Sequence, residues 1–323
     1  MTPDFRMIDT NGIKVRAAVQ GDGPLVVMAH GFPESWYSWR HQMAPLAAAG
    51  FTACAIDVRG YGGSDKPHPV EAYAMKEICA DVAGVVHALS PDAPAVLIGH
   101  DWGAPIVWHT AVLHREKVRA VAGLSVPYFG QPPAPVTEII KAMYTDQGKF
   151  FYQAYFQDEG VAEAAFEADV RSGLRKLYYA ASGDSDGRWG AGKKHGDALL
   201  DGLPDPDPFP AWLAEKDIDY FVQEFENAGF RGPLNRYRNF ERDWAYMNTI
   251  EDRVIHQPSL FIVGERDLVL RMFGGDSDAV VARMRENTSD LRGAHVIPKI
   301  GHWTQQEAPD ETTGLLIDWL ATL

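Results

Sequence analysis

Only two cysteines occur in the 323 residues, Cys54 and Cys79. They lie far apart and fit no zinc-binding or redox spacing, so no cysteine-based metal site is expected. A Cys54–Cys79 disulfide has no support in that spacing, and buried free thiols suit a reducing, cytoplasmic setting. Long apolar runs are also missing. None approaches the ~18 residues needed to cross a bilayer. Residues 1–14 mix charges of both signs without an apolar centre, unlike a signal peptide or an anchor. No membrane association is expected. Basic clusters are absent too: 30 Lys and Arg stand against 44 Asp and Glu, a net charge of −14. Such a chain repels phosphate backbones, which disfavours nucleic acid as a partner. No segment repeats internally.

What is present is an ordinary globular composition, 46% apolar and 23% charged, enough to bury a sizeable core. The length suits one large α/β domain with an insertion, or two modest domains. Four apolar runs punctuate the first part: Leu25–Ala29, Phe51–Ile56, Ala95–Ile98 and Val118–Leu124. Each is bounded by turn residues and reads as a strand buried on both faces. Helical segments such as Lys76–Leu89 and Pro105–Leu113 separate them, which predicts a mostly parallel sheet covered on both sides. The pattern breaks near Pro127, and Pro132, Pro133 and Pro135 mark a boundary. Beyond it the chain is helical and strand-poor, with helical spacing over Val161–Ala180. Ser182–Pro210, rich in Gly, Asp and Pro, reads as a long loop. Strands resume at Ser259–Val263 and Ala294–Ile297. The expected organisation is a core of residues 1–130 and 245–323 with a helical cap, 131–244, inserted.

The residues that carry chemistry sit at strand ends. Gly99-His100-Asp101-Trp102-Gly103 lies between a buried strand and a helix with Pro105 in its first turn. That is the setting of a nucleophile elbow, where small neighbours allow a sharp reversal that lifts the central residue above the sheet. By itself the string is weak, since an aspartate here also suits a helix N-cap. Asp267 follows the Ser259–Val263 strand, and His302 follows the Ala294–Ile297 strand. Sites in open α/β sheets gather at such carboxyl ends, and the order nucleophile, acid, histidine is that of the α/β-hydrolases. The loop His30-Gly31-Phe32-Pro33-Glu34 follows the first buried strand. It can aim the Phe32 N–H at the site, so that with the N–H of Trp102 it forms an oxyanion hole. His30 itself reads as a structural hydrogen-bonding residue. Trp36, Trp102, Pro33 and Trp303 are candidates for an apolar pocket wall.

The strings HGFPESWYSWR, DVRGYGGSDKP, GHDWGA and GHWTQQEAP, with FFYQAYFQDEG and FRGPLNRYRNFE in the cap, resemble the soluble epoxide hydrolase family from about residue 25 to 310. The resemblance implies an α/β-hydrolase core with a helical lid. It also implies Asp101 as nucleophile, His302 as base, Asp267 as the acid that orients it, and Tyr152 and Tyr237 as the pair that activates the epoxide. It suggests a cis peptide before Pro33. The phosphatase domain that precedes this unit in bifunctional animal members has no room within 323 residues. The implied substrate is a small apolar epoxide, converted to a vicinal diol without cofactor or metal by a monomer or homodimer.

The residue types suit that reaction. A carboxylate with a reference pKa of ~3.9 is ionised at neutral pH and attacks without first losing a proton. It is a weak nucleophile, so it needs a strained substrate. Opening an epoxide leaves an alkoxide, which a phenol of pKa ~10 can protonate. An imidazole of pKa ~6.5 can then activate water against the ester on Asp101. Three other readings compete. Haloalkane dehalogenases share Asp-Trp at the elbow but usually carry Asn where this chain has Phe32. Fluoroacetate dehalogenases carry Arg where it has Trp102. A non-catalytic ligand-binding protein on the same scaffold is disfavoured because every expected catalytic position is filled. A serine esterase is disfavoured by Asp at position 101.

Overall fold

The structure, a computed structural model, describes residues 3–185, 189–190 and 192–323. Eight strands form one sheet: β1 (Asp4–Thr10), β2 (Ile13–Gln20), β3 (Leu25–Ala29), β4 (Thr52–Ile56), β5 (Ala95–His100), β6 (Val118–Leu124), β7 (Ser259–Gly264) and β8 (Leu291–Ile297). Their order is β1-β2-β4-β3-β5-β6-β7-β8. β1 and β2 pair antiparallel, as do β2 and β4, and the other pairs are parallel. The chain winds outward from β3 in both directions, so the carboxyl ends of β3 and β5 meet at the switch point where α/β sheets place their sites.

The sheet is covered on both faces. Val27 and Ala29 of β3 face one hydrophobic cluster, and Val26 and Met28 face the other. The helices α1 (Arg40–Ala48), α2 (Met75–Leu89) and α3 (Gly103–Leu113) follow successive strands. Met43 and Leu46 of α1 pack on one face, and the apolar stripes of α2 and α3 pack on the other. Two-sided burial explains why the central strands are continuous apolar runs.

Between β6 and β7 the described residues form helices and turns and no strand of the sheet. The helices are α4 (Val136–Met143), α5 (Tyr152–Tyr155), α6 (Val161–Glu167), α7 (Val170–Ala181), α8 (Glu215–Ala228), α9 (Arg231–Asn235) and α10 (Phe240–Met247). After β7 come α11 (Leu268–Met272) and α12 (Ser277–Arg285), and after β8 come α13 (Thr304–Glu307) and α14 (Pro309–Leu320). The helical excursion is tied to the core by part-buried polar links. Arg16 of β2 ion-pairs with Asp57 and with Glu224 of α8. The Tyr37 hydroxyl donates to Asp217 of α8 at 2.8 Å.

Three elements differ from the sequence pattern. The β1–β2 hairpin has no apolar-run signal, because β1 is an edge strand with most residues exposed. β8 begins at Leu291 rather than Ala294, and its half-exposed face hides the start. The helical spacing over 161–180 is two helices rather than one. Asp169 takes an extended backbone there and its carboxylate accepts from the Ser172 N–H at 2.9 Å, which caps α7 anew. In the expected loop Ser182–Pro210, residues 186–188 and 191 lie outside the described residues, and the rest contains no helix or strand beyond a bridge of Lys194 to Lys149. Among the described residues no helix is long and apolar enough to cross a membrane.

Cys54 on β4 and Cys79 on α2 are free and buried. Burial pushes both thiols up to about 12, and the thiolate is the reactive form. The native protein is therefore expected to consume no aromatic disulfide reagent at pH 8 and to release two equivalents of chromophore once unfolded in guanidinium, read by absorbance.

Candidate active site

β5 ends at His100 and α3 begins at Gly103, so two residues reverse the chain. Asp101 does this with φ +50°, in the left-handed region, a strain that a non-glycine residue holds only where its surroundings impose it. A Cβ on Gly99 would overlap the Gly103 carbonyl, and one on Gly103 would overlap the carbonyl of Ala29. Glycine at both positions lets strand and helix come this close. The turn sends the Asp101 carboxylate towards the loop after β3, where the Phe32 N–H donates to Oδ1 at 2.7 Å. A Cβ on Gly31 would strike the same carboxylate. The Phe32–Pro33 peptide is cis. Trp102, the other expected oxyanion donor, makes no backbone hydrogen bond to the carboxylate in this state.

His302, in the loop after β8, reaches the other oxygen. Its Nε2 donates to Asp101 Oδ2 at 3.2 Å, and its Nδ1 donates to Asp267 Oδ1 at 3.0 Å. Asp267 caps α11 by accepting from the Val269 N–H at 2.8 Å and is fully buried. Burial disfavours charge on His302, but the Asp267 and Asp101 carboxylates outweigh it and hold the imidazolium well above the ordinary histidine range. Both ring nitrogens thus face carboxylates, and the resting ring is doubly protonated.

The backbone of His302 is anchored as firmly as its ring. Its carbonyl accepts from His100 Nε2 at 2.7 Å, Ser125 Oγ at 2.8 Å and the Thr304 N–H at 3.0 Å. Its N–H donates to Ala181 at the end of α7 at 2.9 Å. His100 Nδ1 meets Glu34 Oε2 at 2.9 Å. Glu34 also accepts from the Gly31 N–H at 2.7 Å and from the Gln305 and Gln306 amides. Burial raises its pKa, but the neighbouring His100 ring and the hydrogen bond from the Gly31 N–H win and lower it to about 2. Both nitrogens of His100 therefore face acceptors with no proton to give. His100 and Glu34 thus form a fully buried hydrogen-bonded pair. His30 is the opposite case. Its Nδ1–H donates to Gly31 O at 2.9 Å and its Nε2 accepts from the Val58 N–H at 3.1 Å, so the ring is neutral and structural.

Over the carboxylate lies a tight cavity of about 30 Å³. Phe32, Asp101, His302 and Trp303 line it from the core, and Tyr152, Phe156 and Tyr237 from the helical excursion. The two tyrosine rings stand edge to face at 6.2 Å. Burial, reinforced by the Asp101 charge, raises both phenols, so both stay protonated across the neutral range. Tyr152 also receives an opposing hydrogen bond from Gln153. Sequence reasoning missed Leu177, Ala181, Trp189, Leu268 and Val269, which complete the wall. Their positions follow from tertiary packing, although Leu268 and Val269 stand directly after Asp267.

Three residues expected on the pocket wall lie elsewhere. The Trp36 N–H is held by Asp57 at 2.9 Å and its indole donates to the Tyr220 hydroxyl at 2.7 Å, which turns the ring into the opposite hydrophobic cluster. The carbonyl of Pro33 accepts from the Tyr178 hydroxyl at 2.9 Å, and its ring does not line the cavity. The Trp102 indole packs against Tyr237 and Phe240, with the Arg236 guanidinium 4.8 Å from its ring, so it backs the wall without forming it. Among the described residues no group of three His, Cys, Asp or Glu is arranged to hold a metal ion.

Comparison with known proteins agrees with this architecture. The family profile of the α/β hydrolase fold matches residues 24–190. Epoxide hydrolase A of Mycobacterium tuberculosis is 38% identical over 325 residues, covering 99% of this chain and 98% of that protein. The solved epoxide hydrolase from an endophytic Streptomyces superposes with a TM-score of 0.92 at 42% identity, covering 99% of this chain and 96% of the other. Epoxide hydrolase A from Mycobacterium thermoresistibile superposes with a TM-score of 0.92 at 38% identity, covering 99% and 98%.

Two outcomes follow from this geometry. Replacing Glu34 with Gln removes the buried carboxylate that joins the His100 ring, the Gly31 N–H and the two glutamine amides, and is expected to cost about 1–3 kcal/mol in denaturant unfolding at pH 7. The Glu34 carboxylate is lowered from 4.5 to about 2. Its stabilisation is therefore present above about pH 4.5 and is lost as pH falls towards about 2, so the gap between wild type and variant narrows over that window. Gly31→Ala pushes a methyl group onto Asp101 Oδ1. It is expected to lower turnover at least about 100-fold, as a displacement of about 1 Å does, while circular dichroism stays native.

Proposed function

The chain belongs to the epoxide hydrolase family of the α/β-hydrolase fold, and we propose that residues 131–244 cap a core formed by 1–130 and 245–323, with both parts supplying the reacting groups. The observation that carries the reading is the opposition across one cavity: Asp101 on the core side, and Tyr152 and Tyr237 on the other. An ionised carboxylate facing two protonated phenols suits a substrate whose carbon is attacked while its oxygen takes up a proton.

Asp101 attacks an epoxide carbon and the C–O bond breaks. The departing alkoxide takes a proton from Tyr152 or Tyr237. Of the two carboxylate oxygens, Oδ1 is held by the Phe32 N–H at 2.7 Å, while Oδ2 accepts the longer bond from His302 at 3.2 Å and forms the new bond through its remaining lone pair. The resting His302 ring carries an extra proton because two carboxylates surround it. Esterification removes one of those charges, so the imidazolium weakens and gives its proton up to restore the phenol. Charge and protons then balance: the proton that began on His302 ends on the product hydroxyl. His302 is now neutral and Asp267 holds its tautomer.

Water attacks Cγ of the Asp101 ester as His302 takes a proton from it. The tetrahedral oxyanion draws on the Phe32 N–H, with the Trp102 N–H as second donor; losing one such donor typically costs ~10²–10³ in rate. The ester C–O bond breaks, the imidazolium protonates the leaving alcohol, and a vicinal diol departs. The carboxylic acid left on Asp101 returns its proton to His302, and the resting charges are restored. No step calls on a cofactor. A cytoplasmic location and a monomer or homodimer accord with the free thiols and with a site that one chain completes.

His302→Gln should leave alkylation possible and block ester hydrolysis. Intact-mass analysis after incubation with styrene oxide is expected to show one adduct on Asp101, and no diol should accumulate beyond one turnover. With the wild type, styrene oxide should give phenyl diol and 1-chlorobutane no chloride. Chloride release without diol would assign the aspartate to dehalogenation instead.

A further inference from the structure

Tyr152 and Tyr237 sit on elements too short to hold themselves in place. Tyr152 opens α5, a helix of four residues. Tyr237 lies in a four-residue 3₁₀ turn, Arg236–Asn239. Isolated turns of this size are unstable in water, so their geometry comes from outside them. Two glutamines supply much of it. The Gln157 amide uses both of its N–H groups, donating to the Gln153 carbonyl at 2.8 Å and to the Tyr237 carbonyl at 3.0 Å. One side chain thus joins the backbone beside one phenol to the backbone of the other. Gln153 donates from Nε2 to the Tyr152 hydroxyl oxygen at 2.9 Å.

We propose that Gln153 and Gln157 are positioning residues for ring opening: Gln157 fixes the separation of the two phenols, and Gln153 directs the Tyr152 proton into the cavity. The inference rests on the reading of Tyr152 and Tyr237 as the proton donors.

The argument for Gln153 is one of polarity. A phenol has one proton to donate and lone pairs to accept with. With an amide N–H occupying a lone pair, the hydroxyl proton turns elsewhere, and the ring lies on the wall of the cavity that holds Asp101. As that proton leaves, negative charge grows on the phenol oxygen, and the same N–H becomes a charge-assisted donor to it. Against burial and the Asp101 carboxylate, both of which make Tyr152 a weaker acid, this hydrogen bond acts in the other direction. Gln157 works through distance. Arg238 makes a neighbouring tie, donating to the Phe156 carbonyl at 3.0 Å and pairing with Glu163, so loss of Gln157 loosens the phenol pair without releasing the segment.

The test separates alkylation from ester hydrolysis in single turnovers of styrene oxide, followed by tryptophan fluorescence and product quench. Gln153→Met keeps the shape and removes the donor. It is expected to slow alkylation about 5- to 30-fold, the worth of one oriented hydrogen bond, and to change ester hydrolysis less than about 2-fold. Built into Tyr152→Phe, the same change should cost nothing more, because the hydroxyl it serves is gone. Gln157→Leu should slow alkylation in both backgrounds, since it also places Tyr237. Gln153→Glu gives a second readout: its deficit should shrink as pH falls and the carboxyl regains a proton to donate. Equal slowing by Gln153→Met in the presence and absence of the Tyr152 hydroxyl, or no slowing in either, overturns the proposal for Gln153. Unchanged alkylation in Gln157→Leu overturns it for Gln157. If Tyr152→Phe itself alkylates at the wild-type rate, the assignment of the proton donors fails first, and this inference falls with it.

Discussion

The buried pair between Glu34 and His100 is the interaction on which the site depends. Glu34 belongs to the loop after β3, His100 is the last residue of β5, and the imidazole of His100 grips the carbonyl of His302 after β8. The loop that presents the Phe32 N–H, the elbow that presents Asp101 and the backbone that presents His302 are thereby joined through one buried contact. A buried pair of this kind adds little net stability compared with apolar packing, and breaking it is costly. Its value here is geometric. Three segments far apart in sequence acquire a common reference point directly beneath the reacting atoms, where positional errors matter most.

The charges around that point are arranged to be re-used. Asp101 and Asp267 face His302, two carboxylates against one imidazolium ring. One net negative charge remains on the side towards the phenols, and it keeps their protons in place. Attack by Asp101 consumes that charge, and the group that responds most strongly is the one touching it, His302. In the proposed mechanism, the contact that keeps His302 protonated at rest also releases it to act as base once the ester exists. In a preorganised site such a response needs no movement of the protein.

Much of this could be read before any fold was known, and the limits have physical causes. The central strands are buried on both faces and announce themselves as apolar runs. The exposed edge strand β1 and the half-exposed β8 do not, because water on one side relaxes the choice of residue. Asp101, Asp267 and His302 are conspicuous as polar residues at strand ends in the right order. Glu34 and His100 sit in the same strings, yet their pairing depends on which strands are neighbours. Trp36 illustrates the converse: an aromatic residue two positions from the oxyanion loop looks like pocket wall, but a hydrogen bond to Asp57 turns it to the other side of the sheet. The opposite wall of the cavity is the least legible part. Leu177, Ala181 and Trp189 come from helices and turns whose mutual packing no local pattern encodes.

The left-handed backbone at Asp101 also constrains descent. Short polar side chains tolerate that conformation, whereas β-branched ones such as Thr, Val and Ile are true outliers there. Gly99 and Gly103 leave the turn no freedom to relax. Among single replacements at this position, those that spare the fold are therefore few, and they are also the residues able to act as, or mimic, a nucleophile. A lineage built on this elbow can exchange one chemistry for another, or fall silent with an isostere, without redesigning the sheet beneath it. The strained turn that aims the residue also narrows what can replace it.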